Sequence, residues 1–259
     1  MDAVPLDDRG LLLGDGLFET LLWNDGALIL AEAHAARMAE GAGALGLPAP
    51  AHDAFLAAAE AAVRSAGLTG ARAAVRITLT AGSGGRGLDR PGVLASRLFA
   101  TAAPSVRPAT PAQLHVAGVR RNQASPTSRM KTLAYPDNVL ARREALAAGA
   151  DEALMLNTLG DAACAAAANV FWLGDGALFT PAAETGRLDG IMARQVKRAA
   201  LELGLEVVEG AFGVPALAAA EAVFLTSSLI GVRPARFGAA PTAGHPMVSR
   251  LAAAIAAFV

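Results

Sequence analysis

Apolar residues recur at helical spacing over residues 31–45 and again over 51–66, and the first run stops near Gly46 and Pro48. That pattern predicts two consecutive helices. Residues 72–80 then alternate as a strand does, residues 81–91 are too rich in glycine to be regular, and 93–100 return to strand character. Residues 103–111 contain Pro104, Pro108 and Pro111 with little periodicity, which marks a linker and a boundary near residue 108. Beyond it, 114–119 reads as a strand and 136–148 as a helix opened by Pro136 and stopped by Gly149. Short strand-like runs follow at 152–157, 168–173 and 177–180. A helix over 191–203, strands at 205–208 and 222–226, and a closing helix over 247–259 complete the pattern. Short strands in runs with helices interspersed irregularly predict an α+β fold rather than a regular parallel series. Two domains are expected, a small α/β one over 1–107 and a larger one with a mixed sheet over 108–259.

Composition narrows the function classes. With 259 residues and 54% hydrophobic content, the chain can bury a substantial core, which excludes a disordered protein. A net charge of -1 without any basic run gives no electrostatic footprint for nucleic acid. No apolar stretch approaches the roughly 18 residues that span a bilayer, and the first ten residues are acidic, so a soluble cytoplasmic protein is expected, with no membrane partner. The single cysteine, Cys164, allows no intrachain disulfide. Four histidines without an HExxH pattern give no support for a metal site. Of the 22 basic residues, only Lys131 and Lys197 are lysines. A chain that uses arginine almost wherever a positive charge serves invites the question of what lysine does that arginine cannot: a desolvated lysine amine loses its proton and forms a Schiff base. Lys197, beside Arg194 and Arg198 in a helical pattern, reads as part of a solvated face. Composition alone leaves Lys131 open between a chemical role and chance.

Four stretches resemble the class IV aminotransferases, the fold-type IV enzymes that use pyridoxal 5'-phosphate. The first is Asp8-Arg9-Gly10 with Gly14-Asp15-Gly16-Leu17-Phe18-Glu19-Thr20. The second runs from His34 to Arg37, and the third is Lys131-Thr132-Leu133-Ala134-Tyr135-Pro136-Asp137-Asn138. The fourth runs from Asp151-Glu152-Ala153 through Asn169-Val170-Phe171 to Gly190-Ile191-Met192. Their order and spacing are more specific than any one of them. The resemblance implies a two-domain fold whose C-terminal domain is barrel-like, and a homodimer. It makes Lys131 the catalytic amine that carries pyridoxal phosphate, with Arg37, Ile191, Met192, Ser227 and Ser228 around the phosphate. An arginine fork suits phosphate oxygens, and a helix start at Ile191 and Met192 offers backbone N–H groups to an anion. Tyr135, one helical turn from Lys131 in the expected pattern, is a further cofactor contact. Taken alone, Arg37 reads equally as a solvated helix residue, Ser227 and Ser228 as a strand end, and Tyr135 as a packing residue.

Within that family, the glycine-rich Gly82-Ser83-Gly84-Gly85-Arg86-Gly87-Leu88 and Lys131-Thr132-Leu133 most resemble the 4-amino-4-deoxychorismate lyases. The implied reaction forms 4-aminobenzoate and pyruvate, a step toward folate. Arg86 and Arg97 are then candidates for a substrate carboxylate and Phe18 for a substrate contact. The loop also reads as a plain connector between strands. Two departures matter: little chain precedes Asp8-Arg9-Gly10, where relatives place an edge strand, and Cys164 aligns with the glutamate that relatives place against the cofactor's ring nitrogen, a charge that a neutral thiol cannot supply. Cys164 is equally a small buried hydrophobe. An aminotransferase acting on a D-amino acid, a branched-chain amino acid or an amine is the alternative activity, and a catalytically silent cofactor-binding homologue is the third.

Overall fold

In a computed structural model that describes residues 3–238 and 244–259, the chain divides into two compact units. One extends to Val106 and takes in Met130–Ala134; the other comprises Arg107–Arg129 and Tyr135–Val259. Residues 130–134 thus pack with the first unit, although they follow the proline-rich stretch in sequence.

The first unit contains α1 (Arg9–Leu13), β1 (Gly16–Asn24), β2 (Ala27–Leu28), α2 (Ala31–Ala44), α3 (His52–Ser65), β3 (Ala73–Thr80) and β4 (Arg97–Pro104). Its sheet has the order β2-β1-β3-β4, antiparallel throughout. The two faces differ in chemistry because side chains alternate along each strand. Leu17, Leu21 and Trp23 of β1 share a core with Val75, Ile77 and Leu79 of β3, with Met38 of α2, and with Phe55 and Val63 of α3. On the opposite face, β1 presents Phe18 and Thr20, β3 presents Arg76 and Thr78, and β4 presents Arg97 and Phe99, all brought side by side by the register. Helices α2 and α3 and strand β3 lie where the periodicity predicts, whereas the short α1 has no predicted counterpart. β1 has no clear period of its own, since it is buried at seven of its nine positions, and it went unassigned in the sequence pattern. The strand expected at 93–100 begins instead at Arg97 and runs through Pro104 into the stretch read as a linker.

The second unit holds β5 (Ala112–Arg121), α4 (Pro136–Ala147), β6 (Glu152–Asn157), β7 (Ala162–Ala165), β8 (Asn169–Gly174), β9 (Ala177–Pro181), α5 (Ile191–Glu202), β10 (Glu206–Gly210), α6 (Val214–Ala218), β11 (Ala222–Ser227), β12 (Gly231–Arg236) and α7 (Pro246–Ala254). Eight strands form one mixed sheet in the order β10-β9-β8-β11-β12-β5-β6-β7. Connectivity forces this sheet to curl. β7 and β8 stand five strand spacings apart, about 24 Å across a flat sheet. Yet only residues 166–168 join them, a link that spans at most about 14 Å. The curled sheet agrees with the barrel-like expectation. β7, in an alanine run, and β12, which carries Pro234, had no legible strand pattern.

Around Cys164 the packing is almost entirely alanine. Ala141 and Ala145 of α4 share a cluster with Ala117, Ala153, Ala163, Met155 and Cys164. Such small side chains bring the helix close to the sheet and leave no slack for added volume. Replacing Ala145 by leucine should therefore destabilise the protein by about 1–3 kcal/mol, whereas the exposed Leu146→Ala should stay within about 0.5 kcal/mol. Urea unfolding of both variants measures the difference.

Candidate active site

Lys131 is positioned through its backbone. The Phe18 N–H donates to the Lys131 carbonyl at 2.9 Å, the Leu133 N–H donates to the Gly16 carbonyl at 3.0 Å, and Leu17 pairs with Thr132 in an antiparallel bridge. Residues 131–133 are therefore an extended strip laid along β1. The helical-turn spacing expected between Lys131 and Tyr135 does not form, because α4 begins only at Pro136 with Tyr135 as its N-cap residue. The Lys131 Nζ lies 4.2 Å from the centroid of the Phe18 ring, and the Arg76 Cζ lies 3.6 Å from it. A buried aromatic face attracts both cations, each contact being worth about 0.5–2 kcal/mol according to its desolvation. Arg76 was not singled out in the sequence. Its signal is the β3 register, which sets it diagonally across from Phe18, and that register is invisible while β1 itself goes unread.

On the other face of β1 stands a second cluster, in which Arg37, expected at the phosphate, meets Glu19 and His34, two motif residues without an expected role. The buried Glu19 accepts from His34 Nδ1 at 2.7 Å, from Arg37 Nε at 2.7 Å and from Arg37 Nη2 at 2.6 Å. The arginine contact is the bidentate fork that matches a carboxylate. Burial raises the Glu19 carboxyl, but the His34 and Arg37 hydrogen bonds more than offset it and hold the group at about 2. His34 moves down, burial outweighing the pull of Glu19. A neutral imidazole that donates from Nδ1 to an ionised Glu19 satisfies both directions. Arg37 is thus no solvated helix residue; its fork is held from one side by Glu19.

In the second unit, α5 starts at Ile191 and Met192 without a side-chain cap. Its orphan N–H groups and dipole make an anion site. Asn169 on β8 donates from Nδ2 to the Leu188 carbonyl at 2.8 Å, and a Cβ on Gly190 would sit 1.9 Å from the Asn169 Oδ1. Only glycine lets the chain enter α5 this close to Asn169. Across the register from Asn169 lies Thr226, whose buried hydroxyl has no hydrogen-bond partner among the described residues. A fully buried hydroxyl left unpaired is costly unless a ligand serves it. Together with partly buried Ser227 and Ser228, this donor set fits a phosphate. Thr226 is the hydroxyl that burial points to, where the motif alone favoured its two neighbours.

At Cys164 the chemistry is different. Burial pushes the thiol up, Arg121 acting against that shift and Glu152 with it, so it stays a neutral thiol. Glu152 is engaged elsewhere, accepting from Arg142 Nη1 at 2.6 Å. Lys197 proves to be no merely solvated residue: its Nζ donates to Glu209 at 2.7 Å, and Glu209 also pairs with the buried Arg187. Arg86 is exposed on the glycine-rich loop. Arg97 lies 3.5 Å from the buried Asp8, which gives it a partner within the fold. Among the described residues no group of three His, Cys, Asp or Glu side chains converges as a metal ion requires, and no helix is long and apolar enough to cross a membrane.

Comparison with known proteins gives a consistent result. The family model for amino-transferase class IV matches residues 16–236. The aminodeoxychorismate lyase of Bacillus subtilis (strain 168) is 28% identical over 236 residues, covering 88% of this chain and 78% of its own. A putative branched-chain-amino-acid aminotransferase of Methanocaldococcus jannaschii is 30% identical over 240 residues, covering 89% and 81%. The crystal structure of a putative 4-amino-4-deoxychorismate lyase from Legionella pneumophila superposes with a TM-score of 0.92 at 27% identity, over 100% of this chain and 96% of that one.

Acid titration tests the Glu19 cluster. A carboxyl held at about 2 against an ordinary 4.5 stabilises the fold fully above pH 4.5 and loses that contribution as pH falls toward 2, on the order of 3 kcal/mol in all. His34, shifted down, works in the same sense, because below its ordinary value the unfolded chain takes a proton that the folded one resists. Glu19→Gln should destabilise the protein at pH 7 by about 2–4 kcal/mol and flatten the acid limb between pH 4.5 and 2. An unchanged acid limb in urea unfolding at several pH values contradicts the assignment.

Proposed function

The chain belongs to the class IV aminotransferase family, whose enzymes depend on pyridoxal 5'-phosphate, and from that premise we propose that it is a lyase that converts 4-amino-4-deoxychorismate to 4-aminobenzoate and pyruvate. Bound pyridoxal phosphate supplies an electron-withdrawing ring that stabilises negative charge on the substrate carbon bearing the amine. The chain's own residues do the rest. Lys131 would hold the cofactor through its amine and, as a free amine, would take the proton from the substrate carbon that bears the amino group. The same side chain then returns a proton to the departing enolpyruvyl group. Arg37, Ile191, Met192, Ser227 and Ser228 bind the phosphate, with Thr226 as a further hydroxyl donor, and Tyr135 orients the cofactor.

The observation that carries this reading is the pair of cations on Phe18. Lys131 and Arg76 share one ring, and the same sheet face carries Thr20, Thr78 and Arg97. A substrate with two carboxylates suits that face better than an apolar amino acid does. The exposed Arg86 offers a further carboxylate contact. Cys164 supports the same choice. Loss of the enolpyruvyl group makes the substrate ring aromatic, so the reaction leans less on a protonated cofactor nitrogen than transamination does. The similarity to a putative branched-chain-amino-acid aminotransferase supports transamination as the second reading.

We further propose a cytoplasmic homodimer that supplies 4-aminobenzoate for folate. Exposed Leu6, Leu11, Leu12 and Leu88 in the first unit and Val139 and Leu146 in the second support self-association, and a single unpaired cysteine suits a reducing compartment.

Purified protein should carry a yellow, borohydride-reducible chromophore on Lys131 and release pyruvate from aminodeoxychorismate. Lys131→Ala should abolish both, and keto-acid formation from an amino-acid panel without pyruvate release decides for the aminotransferase. Cys164→Glu should keep the cofactor but lower lyase turnover by about tenfold or more; a large gain refutes the role assigned to the thiol.

A further inference from the structure

Arg9 belongs to the Asp8-Arg9-Gly10 stretch, for which the reaction offers no use. Only 4% of it is exposed, and its guanidinium reaches three successive carbonyls of the glycine-rich loop. Nη1 donates to Gly87 at 3.3 Å and to Asp89 at 3.0 Å, and Nη2 donates to Leu88 at 3.1 Å. Nε donates to Asp15 at 2.9 Å, and Asp15 also accepts from Arg90 Nε at 3.0 Å. The Arg9 amide donates to the Gly82 carbonyl at 2.9 Å. Both ends of the loop are thereby bound to one buried residue, one end by its amide and the other by its guanidinium. The wrap tolerates no side chain at Gly85: with φ at +79, a Cβ there would lie 2.1 Å from the Asp89 carbonyl oxygen and 3.1 Å from Arg9 Nη1.

This cage has one product, the position of Arg86. The Asp89 N–H donates to the Arg86 carbonyl at 3.2 Å, so Arg86 opens a turn whose other three carbonyls Arg9 holds. The Arg86 side chain itself is exposed and makes no hydrogen bond or ion pair among the described residues. A long side chain launched from a loose glycine loop samples many positions, and ordering it on each encounter weakens binding. A loop fastened beneath it removes most of that cost.

We propose that Arg9, fixed by Asp15, is a positioning residue that sets substrate specificity by holding the turn from which Arg86 meets a substrate carboxylate. This rests on the reading of Arg86 given above. Arginine is required at position 9 because a lysine ammonium lacks the planar set of donors that serves three carbonyls and a carboxylate at once.

The test compares Arg9→Met, Arg9→Lys, Arg86→Met and the Arg9→Met/Arg86→Met pair as holoenzymes, by steady-state kinetics and by hydrogen exchange of the amides of residues 84–90. Arg9→Met should raise KM about tenfold with less than about a twofold change in kcat, and should speed exchange across the loop. Arg9→Lys should fall short of wild type in both readouts. The double variant should show a KM no higher than that of Arg86→Met alone. Effects that multiply in the double variant, or unchanged loop exchange, overturn the positioning role. Arg86→Met with an unaltered KM overturns the underlying reading of Arg86 and with it this proposal. Should Arg9→Met fail to fold, Asp15→Asn serves in its place, with the same direction expected and about a threefold rise in KM.

Discussion

The two hydrogen bonds that join residues 131–133 to β1 are main-chain bonds, and the chemistry of the first unit follows from that. Because Phe18 and Lys131 are paired through amide and carbonyl, the strip is fixed by its backbone. The pleat then buries Thr132 and leaves Lys131 beside the Phe18 ring. A lysine reached only through a flexible loop would have to be ordered whenever it reacts. Here the ordering is done when the sheet forms.

β1 also separates two kinds of charge. The Phe18 face gathers Lys131 and Arg76 over an aromatic ring, which attracts both cations. The Glu19 face gathers Arg37 and His34 around a buried carboxylate, where neutralisation is nearly complete. One strand does both because consecutive residues point to opposite sides. The Arg37 fork is gripped by the Glu19 carboxylate, which decides the orientation of its planar cation.

The second unit works by backbone and by omission. An uncapped helix start and a buried Thr226 hydroxyl without a partner among the described residues form a donor set suited to an anion, while Asn169, pressed against Gly190, donates to the Leu188 carbonyl. At Cys164, by contrast, an alanine shell surrounds a neutral thiol, and the Glu152 carboxylate that influences it is tied to Arg142.

How much of this is legible without coordinates depends on whether the signal is local. Helices α2, α3, α4 and α5 announce themselves by period and by their stops, and Lys131 stands out in a chain that otherwise spends arginine. The ordered motifs carry the family, and with it the cofactor. β1 does not announce itself, because a strand buried on both faces has no alternation to read, and with it were lost Arg76, the role of Glu19 and the extended path of residues 131–133. β7 and β12 were hidden by an alanine run and a proline. Arg9 seemed part of a motif without a task, since its partners lie about eighty residues away as backbone carbonyls, which no side-chain pattern records. The sequence by itself determined which groups are available and which elements carry them. Only the tertiary structure decided which of them meet, because pairing across strands and burial of a charge are properties of distant segments brought into register.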